Sequence, residues 1–245
     1  MTAATLPVYP RRQVIRGVLR GLIRMLLPRF ADVQITGQEN FPQEGPLLVV
    51  ANHFSFLDPV AVIHATRYPL EFIGGFTMPN APKVVTWIPR VWGILPVHRG
   101  TVSREALTAA ATILNQNGVL GIFPEAGSWA SVLRPARPGA ALLASRTHAR
   151  VLPIGIDGAI DVFPRFRKGE RAQLTLRIGK PFGPFFISDR GAASRDHLTE
   201  IGHEMMRNIA ELIPPERRGS YSNDPALREA AKAVEAYPWA DQAEN

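Results

Sequence analysis

The chain has 245 residues, is 46% hydrophobic and contains no cysteine. It can therefore bury a sizeable core, and it excludes disulfides, thiolate zinc sites and a cysteine nucleophile. A formal net charge of +7 suits nucleic acid or an anionic membrane surface. No helix-turn-helix, zinc-finger or RNP-like signature occurs, so nucleic acid is the weaker partner. Lysine occurs only at Lys83, Lys168, Lys180 and Lys232, leaving arginine to carry the positive charge. Compositional bias toward arginine, alanine and proline explains that balance equally well.

Residues 1–10 read as a loose lead. Residues 11–27 read as a helix stopped by Pro28. Arg12, Arg16, Arg20 and Arg24 recur along it as one stripe, beside Val14, Ile15, Val18, Leu19, Leu22, Ile23, Met25 and Leu26. A basic stripe with a broad apolar face predicts an amphipathic helix lying on an anionic membrane surface. The alternative is a helix packed on its own domain with its arginines in solvent. No segment reads as a transmembrane span, because Asn115-Gln116-Asn117-Gly118 breaks the uncharged run 106–124. Arginines likewise interrupt any signal-peptide core.

Short strands are expected at 33–36, 47–51, 71–73, 94–97, 119–123, 151–156 and 174–178. Helices are expected at 59–66, at 103–115 with Ser103 as N-cap, at 140–145, and at 194–212 before Pro214-Pro215. Residues 79–92 read as irregular or short helices, and the chain beyond 213 as a polar, peripheral tail. Alternating strands and helices predict an α/β fold. The expected sheet is mixed and mostly parallel, covered by helices on both faces and preceded by the basic amphipathic helix. No internal repeat and no phosphate-cradling glycine loop is found.

The apolar run Pro46-Leu47-Leu48-Val49-Val50-Ala51 leads into Asn52-His53-Phe54-Ser55-Phe56-Leu57-Asp58. Catalytic groups favour such loops beyond rigid strands. A carboxylate on one imidazole nitrogen fixes the tautomer, so the other can take a proton from a hydroxyl. His53 and Asp58 can meet if the chain turns between them and Asp58 lies in the first helical turn. Ser55-Phe56-Leu57-Asp58 also fits a capping box, in which Asp58 only closes a helix. Three further apolar runs stand out: Gly93-Ile94-Leu95-Pro96-Val97-His98-Arg99, Phe123-Pro124-Glu125-Ala126-Gly127-Ser128 and Val151-Leu152-Pro153-Ile154-Gly155. Arg99 is either a phosphate ligand or a solvated charge. Glu125 holds a substrate hydroxyl, steadies a basic neighbour or sits at a helix N-terminus.

These four blocks, in this order and spacing across roughly 33–213, resemble the glycerolipid acyltransferases, the family of 1-acylglycerol-3-phosphate acyltransferase. The first matches that family's Asn-His-x-x-x-x-Asp motif. The second matches through Gly93 and Arg99, the third through Phe123-Pro124-Glu125, and the fourth through its Val-Pro-containing motif. The third departs: the chain reads Glu125-Ala126-Gly127-Ser128 where the family has Glu-Gly-Thr-Arg, with Arg134 and Arg137 as candidate replacements for the arginine. The resemblance implies the glycerolipid acyltransferase fold over residues 31–213. Residues 1–30 would be a membrane-association segment and 214–245 the tail.

The implied reaction moves a fatty acyl group from acyl-CoA or acyl carrier protein to a lysophospholipid hydroxyl, most directly that of 1-acylglycerol-3-phosphate. His53 is the base and Asp58 its orienting partner. Asn52, Ser55, Arg99, Glu125, Gly127, Ser128, Arg134 and Arg137 are the expected substrate-binding residues. Backbone N–H groups would stabilise the oxyanion. Neither a metal nor an organic cofactor is implied, and the expected place is the cytoplasmic face of a membrane, peripheral or monotopic. Other lyso-lipid or glycolipid acceptors remain open. So do a serine hydrolase using Ser55 or Ser128, although neither sits in a Gly-x-Ser-x-Gly elbow, and a non-catalytic lipid-binding protein.

Overall fold

A computed structural model describes residues 6–75, 86–97, 103–187 and 192–236. In chain order its elements are α1 (Gln13–Phe30), β1 (Ala31–Thr36), β2 (Leu47–Ala51), α2 (Asp58–Ala65), β3 (Glu71–Gly74), α3 (Ile88–Trp92) and β4 (Leu95–Pro96). Then follow α4 (Arg104–Asn115), β5 (Val119–Ile122), α5 (Pro138–Thr147), β6 (Arg150–Asp157), α6 (Val162–Phe166), β7 (Ala172–Ile178), α7 (Ala192–Glu211) and α8 (Pro225–Glu235). The strands form one sheet in the order β1-β7-β6-β2-β5-β3-β4. Every neighbouring pair is parallel except β6 and β7. This is the expected mixed, mostly parallel sheet.

Strand β2 shows why both faces must be covered. All five of its residues are buried. Leu47, Val49 and Ala51 enter the core beneath α1, α2 and α3, whereas Leu48 and Val50 enter the core beneath α4, α5 and α7. Successive side chains of a strand point to opposite faces, so an unbroken apolar run needs two cores. Gly155 lets the sheet pass close to the residue that follows α7: a Cβ there would lie 2.5 Å from the Cβ of Leu212.

Several boundaries differ from expectation. Pro28 lies inside α1, which ends only at Phe30. In the last turn a proline removes a single backbone bond, and the helix closes with the Ala31 N–H on the Leu27 carbonyl. The next residue opens β1, so α1 joins the domain without a linker. The lead is tied down as well, since Tyr9 N–H donates to Gln116 Oε1 and Gln116 Nε2 to the Pro7 carbonyl. The expected peripheral tail carries α8 and packs on the core. Leu133 N–H bonds the Arg217 carbonyl, and Trp129 Nε1 donates to the Val234 carbonyl.

The largest correction concerns the arginine stripe of α1. The sequence places it against lipid or solvent; the structure directs its hydrogen bonds onto the domain and buries Arg16, while Arg12 and Arg24 keep exposed surface. Arg16 is buried and pairs with Glu71, and its Nε donates to the Trp92 carbonyl at 2.9 Å. Arg12 donates to the Arg90 and Val91 carbonyls, Arg20 to the Arg67 carbonyl and Arg24 to the Thr66 carbonyl. These acceptors lie in or just beyond the last turns of α3 and α2, where carbonyls lack helical partners and cations are favoured. Residues two positions along a helix lie about 200° apart. Turning the arginines toward the domain therefore turns Val14, Val18, Leu22 and Leu26 outward, and all four are exposed, as are Ile15 and Met25.

Candidate active site

The loops after the carboxyl ends of β2 and β5 meet beside the end of β6, where ligands bind in open parallel sheets. Asn52 begins the first loop. It has no exposed surface, its Nδ2 donates to the Ile156 carbonyl at 2.8 Å, and its Oδ1 accepts from Ile156 N–H at 2.7 Å. With both ends of its amide spent on β6, Asn52 anchors the loop. The expected substrate contact is replaced by this structural role.

His53 Nδ1 lies 3.0 Å from Asp58 Oδ2. The same oxygen accepts from the N–H groups of Phe54 at 2.7 Å and Ser55 at 2.6 Å. Asp58 opens α2 and is fully buried. Helix α2 starts from Leu57 without a side-chain cap, so Asp58 does not serve as its cap; one carboxylate oxygen closes the preceding loop and holds the imidazole. A carboxylate only accepts hydrogen bonds. The contact thus selects the Nδ1–H tautomer and leaves Nε2 to receive a proton. The imidazole stacks on Phe123, with ring centroids 4.3 Å apart, and Phe123 stacks in turn on Phe72 at 6.1 Å. Phe123 is a positioning residue that the sequence reading leaves unassigned. Its signal is its place at the very end of a buried strand, next to Pro124-Glu125.

Glu125 is buried beneath this loop. Its Oε1 accepts the His53 N–H at 2.8 Å, and its Oε2 accepts the Arg134 N–H at 3.3 Å and lies 3.2 Å from the Arg134 guanidinium. Burial pushes its carboxyl up to about 7, against the opposing pull of Arg134 and of the His53 and Arg134 amides. Of the roles considered for Glu125, the structure supports steadying a basic neighbour and adds support of the His53 backbone. Arg134 is 2% exposed, donates to the Gly127 carbonyl and stacks 3.5 Å from the Trp129 ring. An arginine held in this way is an internal brace, not the accessible replacement for a substrate-binding arginine. Gly127 belongs to the same packing, because a Cβ there would overlap the Trp129 ring. Ala126 has φ 62, a left-handed conformation that favours glycine, the residue of the family pattern at this position. Arg137 is exposed at the N-cap of α5, with its N–H on the Pro124 carbonyl. Arg99 lies outside the described residues.

A cleft of about 450 Å³ opens beside these loops. Phe54, Ser55 and Phe56 line it from the loop that carries His53, and Ser128 to Ser131 from the segment after Glu125. Phe163 and Arg167 line it from α6 and its end. Arg167 is the charged side chain of this wall, and the sequence reading does not single it out. Ser55 Oγ accepts the Leu57 N–H at 3.3 Å, while Ser128 is half-buried on the cleft wall. The N–H groups of His53, Phe54 and Ser55 are all engaged by carboxylates, so none of the three is free to serve an oxyanion. Among the described residues no cluster of histidine and carboxylate side chains could hold a metal ion.

Comparison with known proteins gives one consistent picture. The family described as Acyltransferase matches residues 32–157. A 1-acyl-sn-glycerol-3-phosphate acyltransferase of Chlamydomonas reinhardtii is 26% identical over 201 residues, covering 77% of this chain and 58% of that protein. A protein of the same name from Borreliella burgdorferi is 24% identical over 123 residues, covering 49% of each chain. The chloroplastic BAT2 of Brassica napus, also so named, is 28% identical over 161 residues, covering 62% of this chain and 45% of its own length. The chain thus spans about half the length of the curated relatives it matches. The crystal structure of the 1-acyl-sn-glycerophosphate acyltransferase PlsC from Thermotoga maritima has the same fold, with a TM-score of 0.55 at 23% identity and 84% of each chain covered.

Proposed function

Because the chain belongs to the acyltransferase family, we propose that it moves a fatty acyl group from a thioester to the free hydroxyl of 1-acylglycerol-3-phosphate, giving phosphatidate. The observation that carries this reading is the His53–Asp58 pair at 3.0 Å on a strand-end loop. The relatives' common name adds the acceptor. The acceptor hydroxyl gives its proton to His53 Nε2 as its oxygen attacks the thioester carbonyl. The tetrahedral adduct collapses, the C–S bond breaks, and the departing sulfur takes the proton back from the imidazolium. A thiolate is a good leaving group and needs no strong acid. Holding both substrates together supplies the proximity, so no covalent enzyme intermediate is required. The donor is acyl-CoA or acyl carrier protein.

Two further observations support a phosphate-bearing lipid as acceptor. Arg167 gives the apolar cleft a cation suited to the acceptor phosphate. The outward residues of α1, with Val14 81% exposed and Val18 60%, suit immersion in a bilayer surface. Among the described residues no helix is long and apolar enough to cross a membrane. Docking then draws first on the apolar face of α1, since Arg16 is spent on Glu71.

Incubation with labelled acyl-CoA and a panel of lyso-acceptors, read by mass spectrometry, tests the proposal. Phosphatidate should form, and His53→Ala should lower the rate on the order of a thousandfold while remaining folded. Free fatty acid without acceptor would mean hydrolysis, and unchanged lipids would mean a binding protein. Arg167→Gln should raise the acceptor KM about tenfold and spare that of the donor, as expected for one charge-assisted bond. Equal effects on both substrates would remove Arg167 from the acceptor site.

A further inference from the structure

The other end of α2 carries a second cavity, of about 490 Å³, that the proposed reaction does not use. Arg24, His64, Arg67 and Gln38 line it over an apolar floor that includes Ile35 and Phe41. Asp58 opens α2 and His64 lies in its last turn. The two stand six positions apart, about 9 Å along the axis. The cavity shares no lining residue with the cleft beside the His53 loop.

No carboxylate lines this cavity. Among the described residues, none forms an ion pair with Arg20, Arg24 or Arg67. The two lining guanidiniums are nevertheless fixed in place. Arg24 donates to the Thr66 carbonyl, and Arg67 to the Phe41 and Pro42 carbonyls. These bonds use the Nη2 atom of each, so other N–H groups of both forks remain for a ligand. His64 also lines the cavity, and its Nδ1 is buried with no hydrogen-bond partner. The cations also press on one another. Burial and the neighbouring Arg24 charge together hold both His64 and Arg20 below their ordinary values. The carboxyl-end dipole of α2 offsets roughly half a charge, less than the two guanidiniums bring.

We propose that this pocket is a binding site for a phosphate group, held between the forks of Arg24 and Arg67 with His64 and Gln38 as neutral partners. A planar fork matches phosphate oxygens, and two forks anchored on carbonyls lose little freedom on binding. The phosphate comes either from the headgroup of an anionic lipid or from a soluble phosphate ester. Because Arg24 belongs to the helix whose outer face is apolar, the first source would couple this pocket to the docked state of the protein.

The wild-type protein decides the matter without turnover, so its outcome is independent of the acyl-transfer reading. The imidazole resonances of His64, assigned with His64→Gln, are followed by NMR while inorganic phosphate or glycerol 3-phosphate is added at constant ionic strength. A saturable shift at His64 but not at His148 supports the proposal with a soluble source. A response seen only with phosphatidate-containing vesicles, and not with phosphatidylcholine alone, supports it with a lipid source. Arg24→Gln and Arg67→Gln should each weaken binding about tenfold, while Arg146→Gln, an exposed charge on α5, should leave it unchanged. No saturable response to any phosphate probe overturns the site, as does a response that both folded arginine variants leave intact. If the variants fail to fold, the wild-type titration still decides.

Discussion

Two glutamates with almost no exposed surface are pushed in opposite directions. Glu71, at the start of β3, is buried under α1, and Glu125 is buried under the His53 loop. Burial alone raises both carboxyls. Hydrogen bonds and charge from Arg16 and Arg11 outweigh that at Glu71 and hold it below its ordinary value of 4.5. Glu125 has one guanidinium, that of Arg134, and two backbone amides, and it remains pushed up to about 7. The comparison separates a carboxylate that fastens a helix from one that supports a reactive loop. Deeper burial and the nearby Asp58 charge raise Glu125, and Glu71 has a second guanidinium that Glu125 lacks.

Removing the fastened carboxylate should have the largest effect on stability. Glu71→Ala would leave the Arg16 guanidinium buried without its counter-charge, a loss of about 3–5 kcal/mol. Urea unfolding of the variant should show it, together with a loosened α1. A loss below about 1 kcal/mol would mean that the pair contributes no more than an exposed one.

Glu125→Gln keeps the shape and removes the titration. A raised native value means that the fold holds the proton more tightly than the unfolded chain. The stability this group confers is complete below about 4.5 and is lost as the pH rises through about 7. Relative to Glu125→Gln, the wild type should therefore lose about 3 kcal/mol across that interval. Glu71 runs the other way: its contribution is present above 4.5 and is lost as the pH falls below it. Unfolding curves at a series of pH values test both signs. Parallel curves for wild type and Glu125→Gln would show that Glu125 does not titrate there.

The contrast also explains what could be read from the sequence. His53 and Asp58 were legible because the pair is local, lying within one loop and the first turn of the next helix. The strands were legible because double-sided burial produces unbroken apolar runs such as 47–51. The arginine stripe was legible as a periodicity, but periodicity carries no direction. Whether Arg16 faces lipid or Glu71 depends on a carboxylate 55 positions away. The same limit hid the partners of Asn52 and Glu125, whose bonds to Ile156 and to the His53 N–H join chain segments that only the sheet brings together. Arg167 carries no local signal at all, and its place on the cleft wall follows from α6 packing beside the loop.

The smallest effect sharpens the comparison most. Arg11 reaches Glu71 from the rim, with 24% of its side chain exposed, whereas Arg16 is 3% exposed. Arg16→Ala should approach the cost of removing Glu71 itself. Arg11→Ala should cost only about 1 kcal/mol near neutral pH, because a part-exposed charge is screened and Arg16 remains. Its Nε and Nη2 bonds to Glu71 Oε2, at 3.0 and 2.7 Å, would be lost, while the Arg11 backbone N–H at 3.2 Å would persist. Glu71 would then hold one guanidinium and one backbone amide, close to the one guanidinium and two amides that leave Glu125 raised. Its carboxyl should move upward, and the acid limb of the stability profile should shift to higher pH with it. An acid limb that stays in place in Arg11→Ala would show that Arg16 alone holds Glu71 down, and that burial geometry, not the count of guanidiniums, sets the two glutamates apart.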